Sequence, residues 1–212
     1  RCHTAAAIGL LAQRPVVVVC ADETEGQKLA RDLGAFAGVS VPVLGPRDFI
    51  FHNAASVSRQ WEHRRLARMR ELSEGKHPFL VAAVEGLLQR TIPPETLRAC
   101  CRELKVGSVC DLNELAEGLA AAGYVRCEQV EGVGQFALRG GILDVFSPGM
   151  AQPVRAEFFG DEVDAMGVFD PATQRRTENL EAALLLPAAE VLPQLAPGGP
   201  AKLKGRLSKL AA

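Results

Sequence analysis

Between Tyr124 and Leu186 the sequence is cut every few residues by turn pairs, and that punctuation limits what this part of the chain can fold into. The breaks fall at Gly132-Val133-Gly134, Gly140-Gly141, Pro148-Gly149, Gly160-Asp161 and Asp170-Pro171. The segments between them are too short for helices and suit strands of about five or six residues. They predict a small antiparallel sheet. One helix is expected ahead of it. Asp111 with Glu114 forms a capping-box-like start, Leu112, Leu115 and Leu119 make an apolar stripe, and Gly123 closes it. The combination is an α+β module. Gly132-Val133-Gly134 lacks the third glycine of a dinucleotide fingerprint and reads as a hairpin turn.

Residues 1–99 have a different rhythm. Ala5–Ala12 reads as a short helix, and Pro15 introduces Val16-Val17-Val18-Val19-Cys20. This run is short, β-branched and not alternating, the pattern of a strand buried on both faces of a parallel sheet. Asp22 suits an N-cap, with Leu29, Leu33 and Phe36 at helical spacing until Gly38. A second strand is expected over Val41–Leu44 and a third over Phe79–Val84. Between these two, a helix from about Ser58 to Glu74 has Trp61, Leu66, Met69 and Leu72 on its inner side. The β-α-β order implies right-handed crossovers. Thr91-Ile92-Pro93-Pro94 ends the pattern. From about Ala188 the chain becomes rich in proline and glycine, then closes with a basic helix-like stretch, Lys202–Lys209. The expected layout is therefore 1–99, an inserted module over 100–187, and a return to the first domain over 188–212.

The 212 residues are 48% hydrophobic and 23% charged, an ordinary globular composition. A formal net charge of −1 argues against a chain that mainly neutralises phosphates. No apolar run approaches the roughly 18 residues of a membrane span. The six cysteines include no C-x-x-C pair, so reduced, structural thiols of a cytoplasmic protein are expected. Arg1 at one end and Leu210-Ala211-Ala212 at the other point to a piece of a longer protein.

Candidate chemistry is sparse. No G-x-x-x-x-G-K-[ST] loop occurs, and Gly75-Lys76 is followed by His77. Asp22-Glu23 after the valine run resembles an acidic, metal-holding strand end, but it fits an N-cap better. No Ser/His/Asp or Cys/His arrangement stands out, so neither a catalytic residue nor a resident cofactor is expected. Arg59, Arg64, Arg65, Arg68 and Arg70 share one helix, where Glu62 and Glu71 dilute the charge and Trp61 supplies the one interleaved aromatic. A solvated helix face explains these arginines better than a nucleic-acid surface.

Strand parity is more informative. In Val154–Phe159, alternation turns Val154, Ala156 and Phe158 to the core and Arg155, Glu157 and Phe159 to the opposite face. In Gln135–Arg139, Phe136 and Leu138 face in, while Arg139 shares the outer face with Gln135. A large aromatic beside arginines on an outer sheet face suits an interface hot spot. It suits equally an outward Arg155–Glu157 pair with Phe159 covered by a loop.

Longer motifs decide between these readings. Gly134-Gln135-Phe136-Ala137-Leu138-Arg139-Gly140-Gly141-Ile142-Leu143-Asp144-Val145-Phe146, Phe158–Val163, Phe169–Arg175 and Leu186-Pro187-Ala188-Ala189-Glu190 closely resemble a bacterial repair family. They are similar to the UvrB-homology module of the transcription-repair coupling factors, the Mfd family. The resemblance is dense over about 70 residues from Tyr124 onward and looser, but in order, elsewhere. UvrB itself shares the strand motifs but carries a tyrosine-rich DNA-prying hairpin. Here the equivalent stretch is Phe49-Ile50-Phe51-His52-Asn53, and Tyr124 is the single tyrosine.

The resemblance implies a split, degenerate helicase-like (RecA-type) α/β domain that does not hydrolyse ATP, with an inserted α+β domain that binds UvrA. By motif position Arg139, Arg155 and Phe159 fall where the family places its UvrA contacts. For the whole protein it implies an ATP- and Mg-dependent translocase on duplex DNA. That protein displaces stalled RNA polymerase and recruits nucleotide excision repair. A fragment of UvrB handling damaged DNA is the first alternative and an unrelated α/β enzyme the second.

Overall fold

Two patterns of hydrophobic spacing produce two compact units, residues 1–98 and 99–212. The computed structural model describes residues 1–46 and 59–210. The stretch Phe49–Asn53 and the expected helix start at Ser58 lie outside the described residues.

In the first unit α1 (Cys2–Ala12), β1 (Val16–Cys20) and α2 (Glu23–Ala37) lead to β2 (Val43–Leu44), α3 (Gln60–Ser73) and β3 (Phe79–Ala83). The short helices α4 (Val84–Leu88) and α5 (Pro94–Cys100) follow. The three strands are parallel, in the order β1-β3-β2. Ala6, Ala30, Leu33, Phe79 and Val81 form a core between the first two helices and the sheet. On the sheet's other face Leu44, Leu80 and Ala82 pack with Met69 and Leu72 of α3.

The valine run does not fit the expectation of a strand buried on both faces. Val17 is 53% exposed and Val19 55%. Among the described residues β1 is an edge strand of this sheet and α3 packs on the second face over β2 and β3, while the outward valines of β1 stay in solvent. The second strand is also shorter than expected, Val43–Leu44. Trp61 is not on the inner side of α3 either. It is 40% exposed, with the Arg64 guanidinium 5.2 Å above its ring, while Leu66 is fully buried.

The second unit runs β4 (Arg102–Lys105), α6 (Leu112–Ala121), β5 (Val125–Arg126), β6 (Gln135–Arg139), β7 (Ile142–Val145), β8 (Val154–Phe159) and β9 (Glu162–Phe169). β10 (Arg176–Asn179), β11 (Ala182–Leu185), a 3-10 turn over Pro193–Leu195 and α7 (Gly199–Leu210) complete it. Asp111 caps α6 as expected, accepting from the backbone N–H groups of Asn113 and Glu114. Six strands form one sheet in the order β10-β9-β8-β7-β6-β5, and β4 pairs with β11 in a separate ribbon. All neighbouring pairs of the large sheet are antiparallel except β5–β6.

That exception overturns the reading of Gly132-Val133-Gly134 as a hairpin turn. Parallel strands cannot be joined by a tight hairpin. The chain instead makes a longer excursion between β5 and β6, in which Val130 buries itself completely against Ala137, Phe146 and Phe169. Ala188, at the expected boundary, still packs within this unit. Ala188 is fully buried, and its N–H donates to the Ala122 carbonyl.

The inner face of the sheet carries the main core. Phe136, Leu143, Val154, Ala156, Val163 and Met166 pack against Leu115 and Leu119 of α6 and against Leu104 and Leu185 of the ribbon. The outer face is covered at one end by the small cluster around Val130 and Phe169. The β8–β9 hairpin end has no such cover: Phe159 is 83% exposed.

Candidate functional site

The outer face is organised by cross-strand pairing, since directly opposed residues of antiparallel strands project to the same side. Arg139 lies opposite Ile142, Ile142 opposite Glu157, and Phe159 opposite Glu162. A bulge between Glu157 and Phe158 shifts the register of β9 without moving β8 residues between faces. Parity from sequence therefore holds: Val154 and Ala156 are fully buried, Phe158 packs on the main core from a half-buried position, and Phe159 points out. Glu157 pairs with Arg176 at 3.4 Å. Gly167 makes that reach possible, because a Cβ there would collide with the Arg176 side chain. Exposed apolar surface of this kind on a sheet is the composition of a docking site.

Deeper along the same face lies an ionic centre. Asp144 is opposite Arg155 and completely buried. The Arg155 guanidinium grips it with two hydrogen bonds, Nε to Oδ1 at 2.6 Å and Nη2 to Oδ2 at 2.8 Å. Arg139 adds a third from Nη2 to Oδ2, at 2.6 Å. Arg155 also stacks over Phe169 at 4.6 Å and donates to the carbonyl and side-chain oxygens of Gln174. The hydrogen bonds that Arg155 donates to Asp144 raise the guanidinium's pKa above the ordinary arginine value. Gln174 adopts a left-handed backbone and donates to the Val130 and Pro171 carbonyls, tying two loops to this point.

The two arginines are thus unlike each other. Arg155 is a strut whose side chain is 19% exposed, whereas Arg139 is 49% exposed and held by one contact. Both lie on the outer face that strand parity assigns them, but Arg155 lies closer in. A buried carboxylate on the neighbouring strand draws it in. Parity could place Asp144 on this face but could not show that it would be completely buried there.

The match to a known protein family falls within this unit. Residues 103–190 match the model of the UvrB interaction domain. The chain is 36% identical over 205 residues to the transcription-repair-coupling factor of Myxococcus xanthus, covering 91% of this chain and 17% of that protein. It is 32% identical over 176 residues to the protein of that name in Escherichia coli, covering 83% of this chain and 15% of that protein. The chain is similar to the transcription-repair-coupling factors over most of its length. It spans well under a fifth of their length. The UvrB interaction domain match runs from within β4 to Glu190 and so takes in Asp144, Arg139, Arg155, Phe159 and Gln174.

Outside the UvrB interaction domain match, two places had to be weighed. One is the carboxyl end of the parallel strands, where open α/β sheets hold ligands. There the first amides of α2 face the chain's own carboxylates. Asp22 Oδ1 accepts from the Glu25 N–H at 2.8 Å, and Glu25 Oε2 accepts from the Ala21 N–H at 2.9 Å. This capping box occupies donors that a phosphate would need. The other is the arginine-rich helix α3. Arg59, Arg68 and Arg70 pair with Glu62, Glu71 and Glu74 at 3.0, 2.6 and 2.6 Å. Arg65 is buried rather than solvated and donates to the carbonyls of Gly45 at 2.6 Å and Gly86 at 3.2 Å. Alternating Arg and Glu at helical spacing signals the ion pairs, but nothing local signals the burial of Arg65.

Proposed function

We propose that this chain is the UvrA-docking module of a transcription-repair-coupling factor, with Phe159 as the anchor of the docking face. The observation that carries it is an aromatic 83% exposed on a rigid, bonded sheet, beside a preorganised pair of arginines, inside the UvrB interaction domain match. Aromatic and arginine side chains dominate interface energetics because they bury much area or many donors at small entropic cost. Arg139 is the arginine best placed to reach a partner carboxylate. Arg155 acts mainly by holding Asp144 and, through it, Arg139.

The first unit and the stretch beyond 188 are read as parts of a split RecA-type domain that has lost nucleotide chemistry. The self-capped start of α2 supports that reading. The whole protein would use ATP with Mg to move on duplex DNA, displace stalled RNA polymerase in the cytoplasm and hand the lesion to excision repair. Within this chain the role is binding, with no catalytic residue and no resident cofactor. The alternative of a DNA-handling UvrB fragment is disfavoured by the internal pairing of the α3 arginines. A binding titration with purified UvrA tests the proposal. Saturable binding that Phe159→Ala weakens supports it, and no detectable binding would sink it.

A further inference from the structure

Beyond Phe159 the outer face continues onto a segment that strand reading left out. Residues 107–110 run along the edge of β9 and are bonded to it by backbone hydrogen bonds. Gly107 N–H donates to the Val163 carbonyl at 2.8 Å, Val163 N–H to Ser108 at 2.9 Å, and Cys110 N–H to Asp161 at 2.8 Å. Val109 lies directly opposite Glu162 in an antiparallel bridge, and Glu162 lies directly opposite Phe159. Opposed residues share a face, so Val109, Glu162 and Phe159 form one row across the sheet. Val109 is 75% exposed. Glu162 is exposed as well and joins no ion pair among the described residues, in contrast to Glu157, which Arg176 holds.

The charges of the face then divide. At one end a single buried carboxylate, Asp144, serves two guanidiniums, leaving one positive charge in excess. At the other an unpaired carboxylate sits between two exposed apolar side chains. An ion with no partner, framed by hydrophobic groups that exclude water on docking, is a seat for a single opposite charge.

We propose that the docking face extends past Phe159 to Glu162 and Val109, and that this end receives a lysine or arginine of UvrA between two apolar contacts. The proposal rests on the docking function above and adds the second half of its surface. It also assigns polarity, since an acidic group of the same partner would face Arg139 at the other end. Reversal of the partner's orientation would place like charges against each other at both ends.

The test is a titration of UvrA with the intact chain and with Glu162→Gln, Glu162→Lys, Val109→Thr, Val109→Ser and Phe159→Ala, at low and at raised salt. The three positions changed are all solvent-facing, and thermal melts check that each of the five variants is folded. Glu162→Gln should weaken binding roughly fivefold at low salt, with the deficit shrinking as salt rises. Glu162→Lys should weaken it by roughly tenfold or more, since an attraction becomes a repulsion. Val109→Ser should weaken binding by a factor that salt does not change, while Val109→Thr, which keeps the shape, should lose less. If Phe159→Ala weakens binding and the Glu162 and Val109 variants bind as the parent does, the extension is overturned and the docking function stands. If Phe159→Ala binds normally while Glu162→Lys does not, the extension holds and Phe159 is not the anchor. If every variant binds normally, both fall.

Discussion

The Arg155 guanidinium closes over the Asp144 carboxylate across the β7–β8 pair, two hydrogen bonds of 2.6 and 2.8 Å joining a half-buried cation to a fully buried anion. Arg139 reaches the same carboxylate from the other side at 2.6 Å. Removing either arginine therefore tests different things.

Arg155→Ala should destabilise the second unit by about 3–5 kcal/mol, because it strips a buried carboxylate of its principal partner. Arg139→Ala should cost about 1 kcal/mol or less, since its side chain is half exposed and Asp144 keeps both bonds to Arg155. Thermal or urea melts of the two variants, with a double-mutant cycle through Asp144→Asn, measure the difference. Equal stabilities would show that Arg155 is not a strut.

Phe159→Ala should leave the melt unchanged within about 0.5 kcal/mol, as expected of an exposed position. It should weaken UvrA binding by about 2 kcal/mol, roughly thirtyfold. Phe136→Ala, which empties a fully buried site, should cost about 3–5 kcal/mol of stability. Phe158→Ala should fall between these in stability, because its ring is only partly enclosed. Reversal of the Phe158 and Phe159 effects would mean that the face is assigned to the wrong strand parity.

Alkaline pH should loosen the second unit through Tyr124. Burial pushes its phenol well above the ordinary value near 10, and its hydroxyl donates to the Leu186 carbonyl at 2.5 Å. The folded chain holds this proton more tightly than the unfolded chain does. The contribution is complete below the unfolded value and declines as pH rises above about 10. Tyr124→Phe should be less stable at neutral pH and show a shallower fall above about pH 10, read from urea midpoints.

Nucleotide titration tests the first unit. Calorimetry should detect no saturable ATP binding at concentrations of about 100 µM, where working phosphate loops bind. Asp22→Ala should cost about 1 kcal/mol from the loss of its cap and should create no nucleotide site.

Some of this was determined locally and is readable from residues alone. The caps at Asp22 and Asp111, the left-handed Gly38 at the end of α2, and the outward parity of Arg139, Arg155 and Phe159 follow from backbone geometry within a few residues. Tertiary structure decided the rest, for a common reason: burial depends on what other segments cover. The valine run of β1 has the composition of a doubly buried strand, yet among the described residues no second layer reaches its edge position, so Val17 and Val19 face water. Asp144 is completely buried, and Gln174 and Phe169 hold Arg155 against it as a strut, contacts that come from distant parts of the chain. Val109 has no strand pattern of its own and joins the row of Glu162 and Phe159 because its backbone is paired to β9, over fifty residues along the chain. Local sequence sets the direction of a side chain from its strand, and only the folded chain sets what that side chain meets.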